Sequence, residues 1–245
     1  MSYEDLKEID DKFHADYNQP LGDHETIFSS NNKLRWSIDF PIARTCMGRT
    51  PVCSAACYGT KKGRPQARNL DVLEKHLRVL HYFRNVDCDV VAQRIVKGYE
   101  AKRLQCLRWC GVGDLTIEAV RVINTIAREH SQVRQWVVSR IPHLLAQVDR
   151  SAQNVSLMFS TDGSLESALA LEEMARYQHQ LVKISYLRVA PDEEIPDVDV
   201  VFDAEKGFPA HPPPLFGCPG DSGAFGNKAG ACMACHWHCL RGELT

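Results

Sequence analysis

The chain reads as an α/β protein with a mainly parallel sheet, built as a partial, TIM-like (β/α)6 barrel and closed by an irregular cysteine-rich tail. Two observations predict the sheet. Between residues 33 and 203, short strand-like runs alternate with segments of helical period, which is the pattern of βα units. Several of those runs are rich in Val and Ile, as the buried strands of a parallel sheet are. A third observation predicts the tail: Pro209, Pro212, Pro213, Pro214 and Pro219 lie among many glycines, a composition that breaks regular structure. Three units follow, an N-terminal extension (1–32), a βα domain (33–203) and a tail (204–245) whose order must come from metal.

Residues 33 to 42 alternate apolar Leu34, Trp36, Ile38 and Phe40 with polar partners, so they read as the first strand. Leu73, Leu77 and Leu80, then Val91, Ile95 and Tyr99, recur at helical spacing and predict helices over 71–82 and 88–102, with Asn69 or Asp71 and Asp87 as caps. Leu104 to Cys110 reads as a strand running into the turn Gly111-Val112-Gly113-Asp114. The remaining pattern gives helices at 115–129, 143–148 and 164–179, and strands at 134–139, 154–160, 182–189 and 198–203. The total is six strands.

Seven of the ten cysteines form two local groups: Cys46, Cys53 and Cys57 just after the first strand, and Cys218, Cys232, Cys235 and Cys239 in the tail. Spacings of C-x6-C-x3-C and C-x13-C-x2-C-x3-C let one loop fold around a shared metal centre, and they predict two iron–sulfur clusters of the 4Fe–4S type. A disulfide framework suits short secreted chains; the 245-residue length and acidic, polar start of this one predict neither a signal peptide nor such a framework. Zinc is the alternative at the tail, where four thiolates with a C-x2-C pair make an ordinary structural site and His236 or His238 could replace one of them. Three thiolates on a four-iron cluster leave one iron open or held by a remote ligand. Cys110 is the leading candidate for that ligand, with Cys106 and Cys88 behind it; the plain reading of those two is as small buried hydrophobes.

A net charge of −2 offers no basic field and argues against nucleic acid. The one basic run, Lys61 to Arg68, reads as a solvated loop. No apolar stretch reaches the roughly 18 residues of a membrane span, and the predicted location is the cytoplasm, where thiolates stay reduced. In folds of this class, chemistry collects at the C-terminal strand ends. Those ends gather Cys46 to Cys57, Cys110, the Gly111–Asp114 turn, Ser139-Arg140, Ser160-Thr161-Asp162, Arg188 and Asp203. Asp114, Arg140 and Asp162 are the candidate catalytic groups.

A strand followed by a three-cysteine loop, with aromatic Tyr58 beside the last cysteine and a glycine turn ending in an acid after the next strand, resembles radical S-adenosylmethionine enzymes in architecture. The spacing here is longer than their usual C-x3-C-x2-C. The resemblance implies an open iron that binds the cofactor's amino and carboxylate groups, with Tyr58, Gly111, Gly113, Asp114, Ser139 and Ser160 as cofactor contacts and a ferredoxin or flavodoxin as electron donor. A closer sequence resemblance is to the phage and bacterial gene product eighty-eight domain. It rests on Asn32-Lys33-Leu34 to Phe40-Pro41, Thr45 to Pro51 with Cys53 and Cys57-Tyr58, Gly113-Asp114, and Cys232-Met233-Ala234-Cys235 with Cys239. That family implies a cysteine-bound cluster protein and no particular reaction. Three functions follow as expectations: a radical-type redox enzyme with an auxiliary tail cluster, a two-cluster electron carrier with Cys110 as fourth ligand, and a zinc-stabilised phage-type protein that binds nucleic acid through the basic loop.

Overall fold

The computed structural model describes residues 7–8, 11, 21–31, 35–57, 70–149, 151–177 and 182–204. Among these, seven strands form one sheet: β1 (Phe28–Asn31), β2 (Arg35–Ile38), β3 (Leu107–Trp109), β4 (Gln135–Ser139), β5 (Val155–Thr161), β6 (Val182–Arg188) and β7 (Val200–Asp203). Their spatial order follows the chain, β1 to β7. β1 runs antiparallel to β2, with Ser29 opposite Ser37, and every later pair is parallel. The sheet is open, because β1 and β7 end the order and do not pair. All six expected strands are present. β1 was not expected: its short Phe-Ser-Ser-Asn run carries too few apolar residues to show a period, so the sheet begins inside the segment assigned to the extension.

Seven described helices accompany the strands: α1 (Ile42–Thr45), α2 (Pro51–Ala56), α3 (Leu70–Asn85), α4 (Cys88–Ala101), α5 (Ile117–Glu129), α6 (Pro142–Leu145) and α7 (Leu165–Arg176). Asp87 caps α4 as expected, accepting from Asp89 N at 2.9 Å. Thr116 caps α5 and Ser164 caps α7 in the same manner. Asn69 lies outside the described residues. The strand expected over 104–110 shrinks to Leu107–Trp109, because Cys110 turns into the left-handed region at φ 56° and ends the pleat.

Alternation along the strands separates two faces. Ile38, Trp109, Val137 and Leu157 stand in register on one face, and they share a single core with Val79, Leu80 and Phe83 of α3, Val91 and Ile95 of α4, and Val120 and Ile123 of α5. Phe83 packs edge-on against Phe40 at 5.2 Å and Trp109 at 6.1 Å. Each such buried side chain contributes roughly 1.5 to 3 kcal/mol. The next row, Ser37, Arg108, Trp136 and Ser156, belongs to the opposite face and is polar apart from the buried Trp136. The apolar core thus occupies one side of the sheet, and the C-terminal strand ends carry the candidate site.

Candidate functional site

The first cysteine group lies between β2 and α3, on α1 and α2. Three local devices fix this loop across the ends of β3, β4 and β5. Thr45, the last residue of α1, donates its hydroxyl to Pro41 O at 3.0 Å and accepts Asp114 N at 2.9 Å. Thr50 precedes Pro51 and caps α2, accepting Cys53 N at 2.9 Å while donating to Asp162 Oδ2 at 2.6 Å. Between them, Gly48 lies against the end of β4: a Cβ there would stand 2.5 Å from Arg140 O. Only glycine admits that approach.

Beneath the loop, Asp114, Arg140 and Asp162 come together. Asp114 Oδ1 accepts Ser139 Oγ at 2.5 Å and Leu115 N at 2.8 Å, and Oδ2 accepts Arg140 N at 3.2 Å. Burial dominates its titration and raises its pKa to about 6, although these hydrogen bonds and Arg140 pull it down. Arg140 donates to Asp162 Oδ2 at 2.7 Å and to Ser167 Oγ at 3.3 Å. Asp162 Oδ1 accepts Ser164 N at 3.0 Å. Burial opposes the Asp162 charge, but donation from Ser164, Thr50 and Arg140 outweighs it, and the carboxyl titrates below its ordinary range. Arg140 and Asp162 spend polar atoms on each other and Asp162 also bonds Thr50 of the loop, whereas the Asp114 carboxyl is spent on Ser139, Leu115 and the Arg140 backbone. The loop itself is tied through Thr45 to Asp114 N and through Thr50 to Asp162.

Cys46 at the end of α1 and Cys53 within α2 are both pushed up in pKa by burial. Cys53 and Cys57 raise Cys46, Cys57 raises Cys53, and Asp114 raises both, so the three thiols and the carboxyl share one field. Arg49 at Cys46 and Arg140 at Cys53 oppose that repulsion. Cys110 is buried, and its thiol is raised by burial, then by Asp114, Asp39 and Cys46. It stands beside the loop group. The six described cysteines form no disulfide. Among the described residues, no three His, Cys, Asp or Glu side chains are grouped so that they could hold a metal ion. The three loop thiols are therefore not arranged around a common centre.

The turn after β3 explains its glycines. Gly113 has φ 80°, and a Cβ on it would stand 2.4 Å from Phe40 O; a Cβ on Gly111 would meet Asp39 Oδ1 and Ser37 Oγ at 2.6 Å. Val112 N donates to Asp39 Oδ1 at 3.0 Å, and Phe40 N to Val112 O at 3.0 Å. Ser160 pairs in register with Ser185 and belongs to the face opposite Phe159, the neighbour of Ser139, so it stands apart from the Asp114 network. Arg188 and Asp203 pair with each other at 2.7 Å. Cys88 is partly buried and lies 3.4 Å from Thr125 Oγ1, and Cys106 is buried. Tyr58, the basic run 61–68, Cys218, Cys232, Cys235, Cys239, His236 and His238 lie outside the described residues.

Sequence reasoning missed Thr45, Thr50, Ser167 and Asp39. The Thr50-Pro51 pair was a visible helix-start signal. Asp39 gave no signal, since alternation along β2 marks it only as a polar partner.

Fold and site together define an α/β protein whose open, mostly parallel sheet carries a thiol-rich loop across its C-terminal edge. The chain belongs to the Gene product 88 family, whose model matches residues 12–237. That span includes the loop cysteines, the rim acids, and Cys218, Cys232 and Cys235. No curated protein and no solved structure matches the chain.

Proposed function

We propose that this chain is a cytoplasmic iron–sulfur protein in which Cys46, Cys53 and Cys57 hold one 4Fe–4S cluster and Cys218, Cys232, Cys235 and Cys239 hold a second. The observation that carries it is the shared field of three loop thiols and Asp114, in a loop fixed across three strand ends. Buried thiolates crowded beside a carboxylate are unfavourable by themselves, and a bound cationic centre offsets that repulsion. A cluster bound here supplies one-electron chemistry or Lewis acidity at an iron that no loop thiol ligates. Asp114, Arg140 and Asp162 act as positioning residues for the thiols.

The unbroken strand order is that of part of a barrel, and we read the sheet as a TIM-like partial barrel of the radical S-adenosylmethionine type. On that reading S-adenosylmethionine meets the Gly111–Asp114 turn, Ser139 and Tyr58, and a ferredoxin or flavodoxin supplies electrons. A second reading, an electron carrier with both clusters fully ligated, is favoured by Cys110, which is buried in the field of Cys46. Zinc remains the alternative occupant of the tail. Iron, sulfide and zinc analysis after anaerobic purification, with EPR of the reduced protein with and without S-adenosylmethionine, tests these readings. Two clusters with one signal shifted by the cofactor supports the enzyme; two unshifted signals supports the carrier; zinc without iron overturns both.

A further inference from the structure

The sheet face opposite the apolar core is also buried. Trp136 is 2%, Ser156 1%, Met158 0%, Ser185 0% and Val200 1% exposed, and the strand register puts all five on that face, from β4 to β7. Helices α3 to α7 all contribute to the core on the other side, and that core includes none of Trp136, Met158 and Val200. α1 and α2 are tied across the strand ends by Thr45 and Thr50. Among the described residues, then, no helix forms a layer on this face. Curvature of the sheet does not account for the burial either: Val200 is in β7, the last strand of the order, with a neighbour on one side only. A sheet face buried this deeply needs a second layer of chain against it.

Three stretches lie outside the described residues and are long enough to cover a sheet: most of 1–20, 58–69 and 205–245. The first carries Glu4, Asp5, Asp10 and Asp16, and the second Lys61, Lys62, Arg64 and Arg68; side chains of those types are almost never fully buried unless paired. The third carries Phe208, Leu215, Phe216, Phe225, Trp237 and Leu240, with its few charges spread along it. Its composition suits burial. Its starting point agrees: Ala204 N donates to Arg188 O at 2.9 Å, so the chain leaves β7 at the C-terminal strand edge, where the thiol loop lies. Strands stand about 4.8 Å apart and extended chain covers about 3.3 Å per residue, so about nine residues reach from β7 to the far strand β1.

We infer that residues 205–245 dock across this face as the second layer of the domain, packing their aromatic side chains on Trp136, Met158 and Val200. The tail is then an integral part of the sheet domain, and its cysteines, Cys218, Cys232, Cys235 and Cys239, lie over the same sheet that carries the loop thiols. The interface is within one chain and is independent of which metal the cysteines hold.

Photo-crosslinking of the full chain reads the contact directly. Trp136→p-benzoylphenylalanine places the probe in the middle of the face, and Leu165→p-benzoylphenylalanine places it on the helix side, where Leu165 is 74% exposed. After illumination and peptide mass spectrometry, the first should capture peptides of 205–245 from its own chain and the second should capture none of them. Capture of residues 1–20 or 58–69 by the first probe, capture of a second chain, or no capture beyond the described residues overturns the inference. A second measurement uses the unaltered chain, so failure of a probe variant to fold does not protect the proposal. Trypsin should cut after Lys228 at least about tenfold more slowly in the full chain than in a free peptide of residues 205–245. Equal rates overturn the docking. Metal content of the same preparations tests the cluster readings, so either proposal can fail without the other.

Discussion

Replacing Asp114 with Asn exposes two opposed titrations that nearly cancel in the unaltered protein. Burial raises Asp114 from 3.8 to about 6. Between those values the folded protein holds a proton that the unfolded chain lacks, so stability falls as pH rises through this window. At about 1.4 kcal/mol per pKa unit, the cost is about 3 kcal/mol and is complete above roughly pH 6. His76 does the reverse: burial, then Lys75, lowers it from 6.5 to about 4. There the unfolded chain holds the extra proton, and stability is lost as pH falls from 6.5 toward 4, again by about 3 kcal/mol. In Asp114→Asn the histidine contribution is no longer opposed by Asp114. Urea unfolding between pH 7 and pH 4 should show the variant losing about 3 kcal/mol more than the unaltered protein on acidification. Near pH 7 the two should be close, because relief of the buried charge is offset by loss of an acceptor for Arg140 N, worth about 1 to 3 kcal/mol. Stability curves that stay parallel across the range would show that Asp114 is not a buried, raised carboxyl, and would refute the reasoning.

Arg140→Met and Asp162→Asn should each destabilise by about 3 kcal/mol, but the double variant by far less than 6, giving a coupling of about 2 to 3 kcal/mol; additive losses would contradict the buried pair. Asp162 is held below its ordinary pKa, so its contribution is present above the unfolded value and lost as pH falls. In Arg140→Met the gap from the unaltered protein should therefore narrow on acidification, by urea unfolding. Gly48→Ala places a methyl on the Arg140 carbonyl and should cost about 1 to 3 kcal/mol, with the thiols becoming more reactive to alkylation as the loop lifts. Thr50→Val keeps shape but removes both the α2 cap and a donor to Asp162, for a loss of about 2 kcal/mol in thermal or urea unfolding.

Much of the fold was legible because long segments carried one period clearly. In α5, Val120, Ile123 and Ala127 repeat at helical spacing, and the Asp87 cap of α4 announced itself by residue type. β1 was not legible, since pairing with β2 rather than its own pattern makes it a strand. The rim was readable as a set: Cys46 to Cys57, Cys110, Asp114, Ser139, Arg140 and Asp162 do converge. Their roles were not, because a sequence shows which residues reach the rim and not which atoms they spend on each other. Asp114 and Asp162 read as free acids, but the fold commits the Asp162 carboxyl to Thr50 of the loop and the Asp114 carboxyl to Ser139, Leu115 and the Arg140 backbone. Closure of the sheet was equally hidden, since it depends on whether the first and last strands meet.

The measurement that bears most directly on the thiol loop is iron and sulfide content of the anaerobically purified chain beside a variant with Cys46, Cys53 and Cys57 all changed to Ala. Two clusters predict about eight irons in the first and about four in the second, with circular dichroism unchanged in the sheet. Equal iron in both proteins, or none in either, would contradict the assignment of a cluster to the loop.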